Sequence, residues 1–183
     1  MKTPLSYYGG KPLLANIILG LMPPHRLYCE PFLGGAAIFF AKEPSRVEII
    51  NDSNGEIINF YEVFQRDFTA LEKEVAISLH SRKQHRQAEV IYQNPDMFDR
   101  IKRAWAIWVL VNSSYGCMLD GGYGYDRTGG NSKKLDNKRA GFKAENVGLG
   151  GDIHQRFVGL LQKRRLIRDT GEFFRKVGQH LPA

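Results

Sequence analysis

The chain has 183 residues, 43% hydrophobic and 25% charged, with 26 Lys and Arg against 19 Asp and Glu, a net charge of +7. That length suits one ordinary domain with a small insertion, and that composition excludes a disordered polymer. No apolar run reaches the roughly 18–20 residues of a membrane helix. Two cysteines, Cys29 and Cys117, are too few for a disulfide framework or a four-ligand zinc cluster, and the opening MKTPLSYYGGK lacks the apolar core of a secretory signal. The expected setting is the reducing cytoplasm, with no membrane partner.

In chain order, residues 12–21 predict a short apolar helix that starts at a proline and is stopped by Pro23-Pro24. Residues 27–32 read as a buried strand, and Gly34-Gly35 as a tight turn into the helix AAIFFAK. Residues 47–50 form a second strand ending at Asn51-Asp52. A helix follows from about Gly55 to Gln65, with Ile57, Ile58, Tyr61 and Phe64 on one face. Strand–helix–strand–helix order predicts a parallel sheet with crossover helices. Residues 66–112 read as mostly helical, broken near Pro95, with Trp105 and Trp108 assigned to the core. Residues 113–151 are rich in Gly, Asn and Ser and read as an extended loop region. Further on, 152–161 look helical, 165–168 like a short strand, and 171–178 like a last helix.

The excess charge is uneven. Residues 1–60 hold as many acids as bases, so the remaining 123 carry the whole +7. One basic cluster, Arg127, Lys133, Lys134, Lys138, Arg139 and Lys143, falls in the glycine-rich stretch. Another is Lys163, Arg164, Arg165 and Arg168. Such clusters are either an electrostatic footprint for phosphates or a solvated surface. Tyr123 and Tyr125 divide in the same way, between loop packing and contact with a nucleic acid.

Three short motifs lie in the first third: Tyr7-Tyr8-Gly9-Gly10-Lys11, Glu30-Pro31-Phe32-Leu33-Gly34-Gly35-Ala36 and Asn51-Asp52-Ser53-Asn54. Gly-Gly-Lys is not a P-loop, because the glycine arch before it and the Ser or Thr after it are absent. Order and spacing say more than each motif alone. The first strand ends in an acid and a double-glycine turn, and the second ends in another acid. Ligands of open α/β sheets sit beyond the carboxyl ends of the strands. Glycines let the backbone approach a ligand, and an acid at the second strand tip can accept hydrogen bonds from ribose hydroxyls. A dinucleotide would require a fuller glycine pattern for its pyrophosphate. The motif better suits an adenosine without phosphates, such as S-adenosylmethionine. The competing structural roles are a solvated Lys11, a Glu30 that caps the next helix, and an Asp52 that serves as a helix cap.

Taken together, the three motifs resemble the Dam-like, class D12 DNA adenine-N6 methyltransferases. Phe60-Tyr61 and Asn112-Ser113-Ser114-Tyr115-Gly116 look similar as well. The resemblance implies an α/β, Rossmann-like S-adenosylmethionine-dependent fold with an inserted, mostly helical DNA-recognition region. Residues 1–65 would be the cofactor part, 66–152 the recognition region, and 153–183 a return to the sheet. Tyr7 and Lys11 would contact the cofactor, Glu30 would lie near its methionine part with Gly34 and Gly35 under it, and Asp52 would hold the ribose. The substrate would be adenine N6 in double-stranded DNA, with no metal. Arg127, Lys133, Lys134, Lys138, Arg139 and Lys143 would meet the DNA backbone.

The family activates the adenine amino group with an Asp/Asn-Pro-Pro-Tyr/Phe segment, and none occurs in this sequence. Pro23-Pro24 lies before the first strand, and Asn94-Pro95-Asp96 lacks a second proline and an aromatic. The sequence therefore reads as stopping before the catalytic segment, with no catalytic residue of its own. Two alternatives stay open: a non-catalytic DNA-binding remnant, and half of a split enzyme completed by a second polypeptide.

Overall fold

In the computed structural model, residues 3–11 and 13–142 are described. The expected strand 165–168, the helices around it, Lys143 and the basic cluster at 163–168 lie outside them.

Helix α1 spans Ala15–Leu21, shorter than the predicted 12–21 and ending just before Met22 and the two prolines. Strand β1 covers Leu27–Glu30, so the strand predicted to reach residue 32 stops before Pro31, which has no N–H to continue a ladder. Helix α2 (Ala37–Ala41) crosses over to strand β2 (Val47–Ile50). The strands pair in parallel, Leu27 beside Val47 and Glu30 beside Ile50. The result is an α/β arrangement whose sheet, among the described residues, has two strands. Alternation sorts their side chains: Tyr28, Glu30 and Ile50 face the main core, while Leu27, Cys29 and Ile49 group on the other side.

Among the described residues five further helices follow: α3 (Gly55–Arg66), α4 (Phe68–Ala76), α5 (Arg82–Gln93), α6 (Arg100–Ser113) and α7 (Gly130–Gly141). A 3-10 turn at Pro95–Met97 separates α5 from α6, where the proline break was expected. Asn54 caps α3 by accepting the Glu56 N–H, Ser81 caps α5, and Asp99 caps α6. Helix α6 is the central post. Its residues Ala104–Val111 are all buried, and α3, α4, α5 and α7 all pack against it. A helical stretch that is apolar all round, as 104–111 is, sits inside such a shell. Trp105 and Trp108 are core residues, and the Trp105 indole N–H donates to Ser78 Oγ at 2.8 Å. Ion pairs from α6 brace the shell: Arg100 to Glu62, Lys102 to Glu74, and Arg103 to Glu56.

The glycine-rich stretch contains an element that composition concealed. Instead of an uninterrupted loop, it holds the 12-residue helix α7. Gly129 enters it with φ +72°, a conformation glycine adopts without steric cost. The Asp126 carboxylate accepts the N–H groups of Thr128 and Gly130 at 2.9 and 2.8 Å. Leu135 and Phe142 then anchor the helix. Phe142 meets Phe64, Phe68 and Trp108 with ring centres 5.6–5.8 Å apart.

Candidate ligand cleft

Past the strand ends, the chain continues to bond as if the ladder ran on. The Asn51 N–H donates to the Glu30 carbonyl at 2.9 Å, and the Leu33 N–H to the Asn51 carbonyl at 3.0 Å. This brings the two strand exits side by side. Gly34 turns there with φ +49°, and its N–H donates to Asp52 Oδ2 at 2.8 Å. The other carboxylate oxygen, Oδ1, accepts the Asn54 N–H at 2.9 Å. Asp52 therefore fastens the first turn to the second. It does not cap α3, a role that belongs to Asn54.

The glycines are required on their protein side. A Cβ on Gly34 would lie 3.1 Å from the Tyr7 ring, and one on Gly35 would lie 3.0 Å from the Leu5 carbonyl oxygen. Tyr7 thus rests on the glycine turn. From Tyr7 the chain turns through Gly9, at φ +70°, closed by the Gly10 N–H on the Tyr7 carbonyl. Lys11 reaches across and donates from Nζ to the Phe32 carbonyl at 3.4 Å.

These pieces enclose a half-open cleft of about 240 Å³. Residues Tyr7 to Lys11 form one wall, Phe32 to Gly35 another, and Glu30, Ala37, Asp52 and Ser53 complete the lining. All six residues that the sequence nominated for a cofactor, Tyr7, Lys11, Glu30, Gly34, Gly35 and Asp52, line this one cavity. The sequence reading missed several supporting groups. Tyr28 donates its hydroxyl to Glu30 Oε2 at 2.8 Å, a contact signalled by two-residue spacing on one strand. Tyr61 donates to the Gly34 carbonyl at 3.1 Å from within α3, and nothing local in the sequence announces that reach. Tyr8 and Phe32 are exposed at the rim.

Electrostatics follow from burial. Glu30 is 7% exposed, and that burial holds its carboxyl above the ordinary range. The Tyr28 hydroxyl, the Lys11 charge, the Phe39 N–H and the Lys42 charge oppose the shift without cancelling it. The Phe39 N–H belongs to the first turn of α2. Burial raises the Tyr7 phenol, and the Asp52 charge adds to the effect.

A sequence model of D12 class N6 adenine-specific DNA methyltransferases matches residues 7–134, from the cleft wall at Tyr7 into α7. The chain belongs to that family. A relative, the Type II methyltransferase M1.LlaDCHI of Lactococcus lactis subsp. cremoris, is 46% identical over 54 residues. That stretch is 29% of this chain and 19% of the relative's length.

Of the six basic residues nominated in this chain, five lie among the described residues, and they differ in exposure. Arg127, Lys133 and Lys134 are exposed. Lys138 and Arg139 flank buried Leu135 and are half-buried. Arg139 donates to the Ser78 carbonyl at 2.8 Å and pairs with Asp136 at 3.0 Å. Tyr123 is half-buried, with its hydroxyl 2.8 Å from His80 Nδ1, whereas Tyr125 is exposed. Among the described residues no His, Cys, Asp and Glu group forms a metal cluster, and no helix is long and apolar enough to cross a membrane.

Proposed function

We propose that this chain binds S-adenosylmethionine in the cleft between the strand exits and serves methyl transfer to adenine N6 in double-stranded DNA. One observation carries the reading. Two carboxylates and a double-glycine turn from separate strands meet at the carboxyl end of a parallel pair, where α/β sheets hold ligands. The donor set suits this ligand. Asp52 stands at the second strand tip, and a carboxylate can accept about four hydrogen bonds, so ribose hydroxyls can share its oxygens with the turn N–H groups. Glu30 supplies negative charge for the cationic methionine end, and Tyr7 offers a ring edge to pack on. When bound, the cofactor supplies an electrophilic methyl group. The protein's part is to fix its position and exclude competing geometry.

On this reading the fold is the Rossmann-like methyltransferase sheet. Residues 1–65 form the cofactor part and the residues from 66 onward the recognition region; the return to the sheet expected at 153–183 lies outside the described residues. The target adenine would have to leave the duplex stack to be reached. The 183 residues contain no Asp/Asn-Pro-Pro-Tyr/Phe segment. The group that accepts the amino hydrogens is therefore assigned to residues outside this sequence, on a second polypeptide in the split-enzyme version.

The test is calorimetric titration of S-adenosylmethionine into the chain and into Asp52→Ala. Losing hydrogen bonds to a charged acceptor removes about 1.5–3 kcal/mol, so affinity should fall at least about tenfold. Unchanged affinity would remove Asp52 from the site. No binding to the parent would remove the cofactor reading.

A further inference from the structure

The helical region separates its charges into two kinds. On α6, Arg100, Lys102 and Arg103 are each committed to an acid of α3 or α4. On α5 the arrangement is different. His85, Ala88 and Ile91 turn inward, which leaves Arg82, Lys83 and Arg86 exposed on the opposite face, with Arg82 and Arg86 one turn apart. Among the described residues none of the three has an acidic partner within ion-pair distance.

The acids nearby are occupied elsewhere. Glu89 lies 3.5 Å from His85 Nδ1, Asp136 pairs with Arg139, and Asp126 is turned in on the start of α7. The start of α5 is also fixed against α7. His80 Nδ1 lies 2.8 Å from the Tyr123 hydroxyl and 3.3 Å from Ser132 Oγ, and the Arg82 guanidinium sits 5.4 Å from the centre of the Tyr123 ring. Arg139 completes the bracket by bonding the Ser78 carbonyl.

We propose that Arg82, Lys83 and Arg86 contact the phosphate backbone of duplex DNA together with the exposed Arg127, Lys133 and Lys134, and that Arg139 is a strut that holds α7 against the start of α5. The assignment rests on the DNA reading above. Its chemistry is charge complementarity: unpaired guanidinium and ammonium groups on a rigid helix face, against a polymer carrying a charge every few ångströms. Phosphate contacts position a protein on the duplex without reading its sequence. Each contact releases counterions, so each contributes about 0.9 to the slope of log affinity against log salt.

The experiment is fluorescence anisotropy of a labelled duplex titrated with the full chain over a series of potassium chloride concentrations. It compares the parent with the triple variant Arg82→Gln, Lys83→Gln, Arg86→Gln and with the charge-retaining pair Arg82→Lys, Arg86→Lys. Melting curves establish that each variant is folded. The triple variant should bind duplexes of unrelated sequence more weakly to a similar degree, with a slope shallower by about 2–3. The lysine pair should keep the parental slope. A folded triple variant with the parental slope overturns this assignment and leaves the DNA reading standing. A loss confined to one duplex sequence overturns it in favour of base contact. A parent that binds no duplex removes the DNA reading and this inference with it.

Discussion

Glu30 accepts the Tyr28 hydroxyl and meets the charge of Lys11, yet its burial still outweighs both. Its carboxyl therefore keeps a proton at pH values where the unfolded chain has lost one. The sign of the linkage follows. Where the folded state binds more protons, stability falls as pH rises, here from the ordinary carboxylate range up through the raised value of the folded chain. Glu30→Gln keeps an acceptor for Tyr28 but cannot ionise. Its melting temperature should gain on the parent's as pH rises through that window, and the two should run parallel below it. A constant offset at all pH values would assign no such titration to Glu30. If a cationic cofactor occupies the cleft, it favours the ionised form, so its affinity should climb over the same pH interval.

Among the elements, α7 depends on very little apolar surface. Leu135 and Phe142 are its buried residues, and Phe142 stands just past its last turn among three aromatic rings. Phe142→Ala should cost about 3–5 kcal/mol. Amide exchange should speed up across Gly130–Gly141 more than across α6. Equal loss of protection in both would show that α7 and α6 open together. The same helix marks the limit of what the sequence revealed. Strand β2, helix α3 and the Pro95 break were legible because apolar spacing and cap residues act locally. Helix α7 was not, because two apolar residues carry no periodicity and the surrounding Gly, Asn and Ser favour loops. The cleft was legible in part. Glu30, Asp52 and the glycine pair stand in fixed relation to strand ends. Tyr61, which holds the Gly34 carbonyl from 27 residues away, reaches the site only through tertiary packing. Likewise, Arg139 looked like any other base in its cluster until Asp136 and the Ser78 carbonyl were placed beside it.

At the scale of the molecule, the main apolar cluster of the described residues runs from Leu5 to Phe142 and takes in β1, α2, α3 and α6. The division drawn at residues 65 and 66 therefore crosses a shared core. Arg103 reinforces it, donating from both its Nε and a terminal nitrogen to Glu56 in the first turn of α3. This pair is half-screened by solvent, so Arg103→Gln should cost about 1–2 kcal/mol. That corresponds to roughly 2–8 °C in melting temperature for a chain of this size. Tryptophan fluorescence and far-ultraviolet circular dichroism should shift together. Two separated transitions would mean that the strand layer and the helices fold as independent units.

One contact near the cleft reaches further than its size suggests. Asn54, at the exit of β2, donates from Nδ2 to the Tyr92 hydroxyl at 2.8 Å, close to the final turn of α5. The opposite end of that same helix carries Arg82 and Arg86. Twelve helical residues make a rod about 18 Å long, bolted at one tip to the Asp52–Asn54 turn and bearing at the other cations without an acidic partner among the described residues. If the chain binds both ligands, thermodynamic reciprocity constrains the pair: whatever filling the cleft does to the grip on a duplex, the duplex returns in equal measure to the grip on the small molecule.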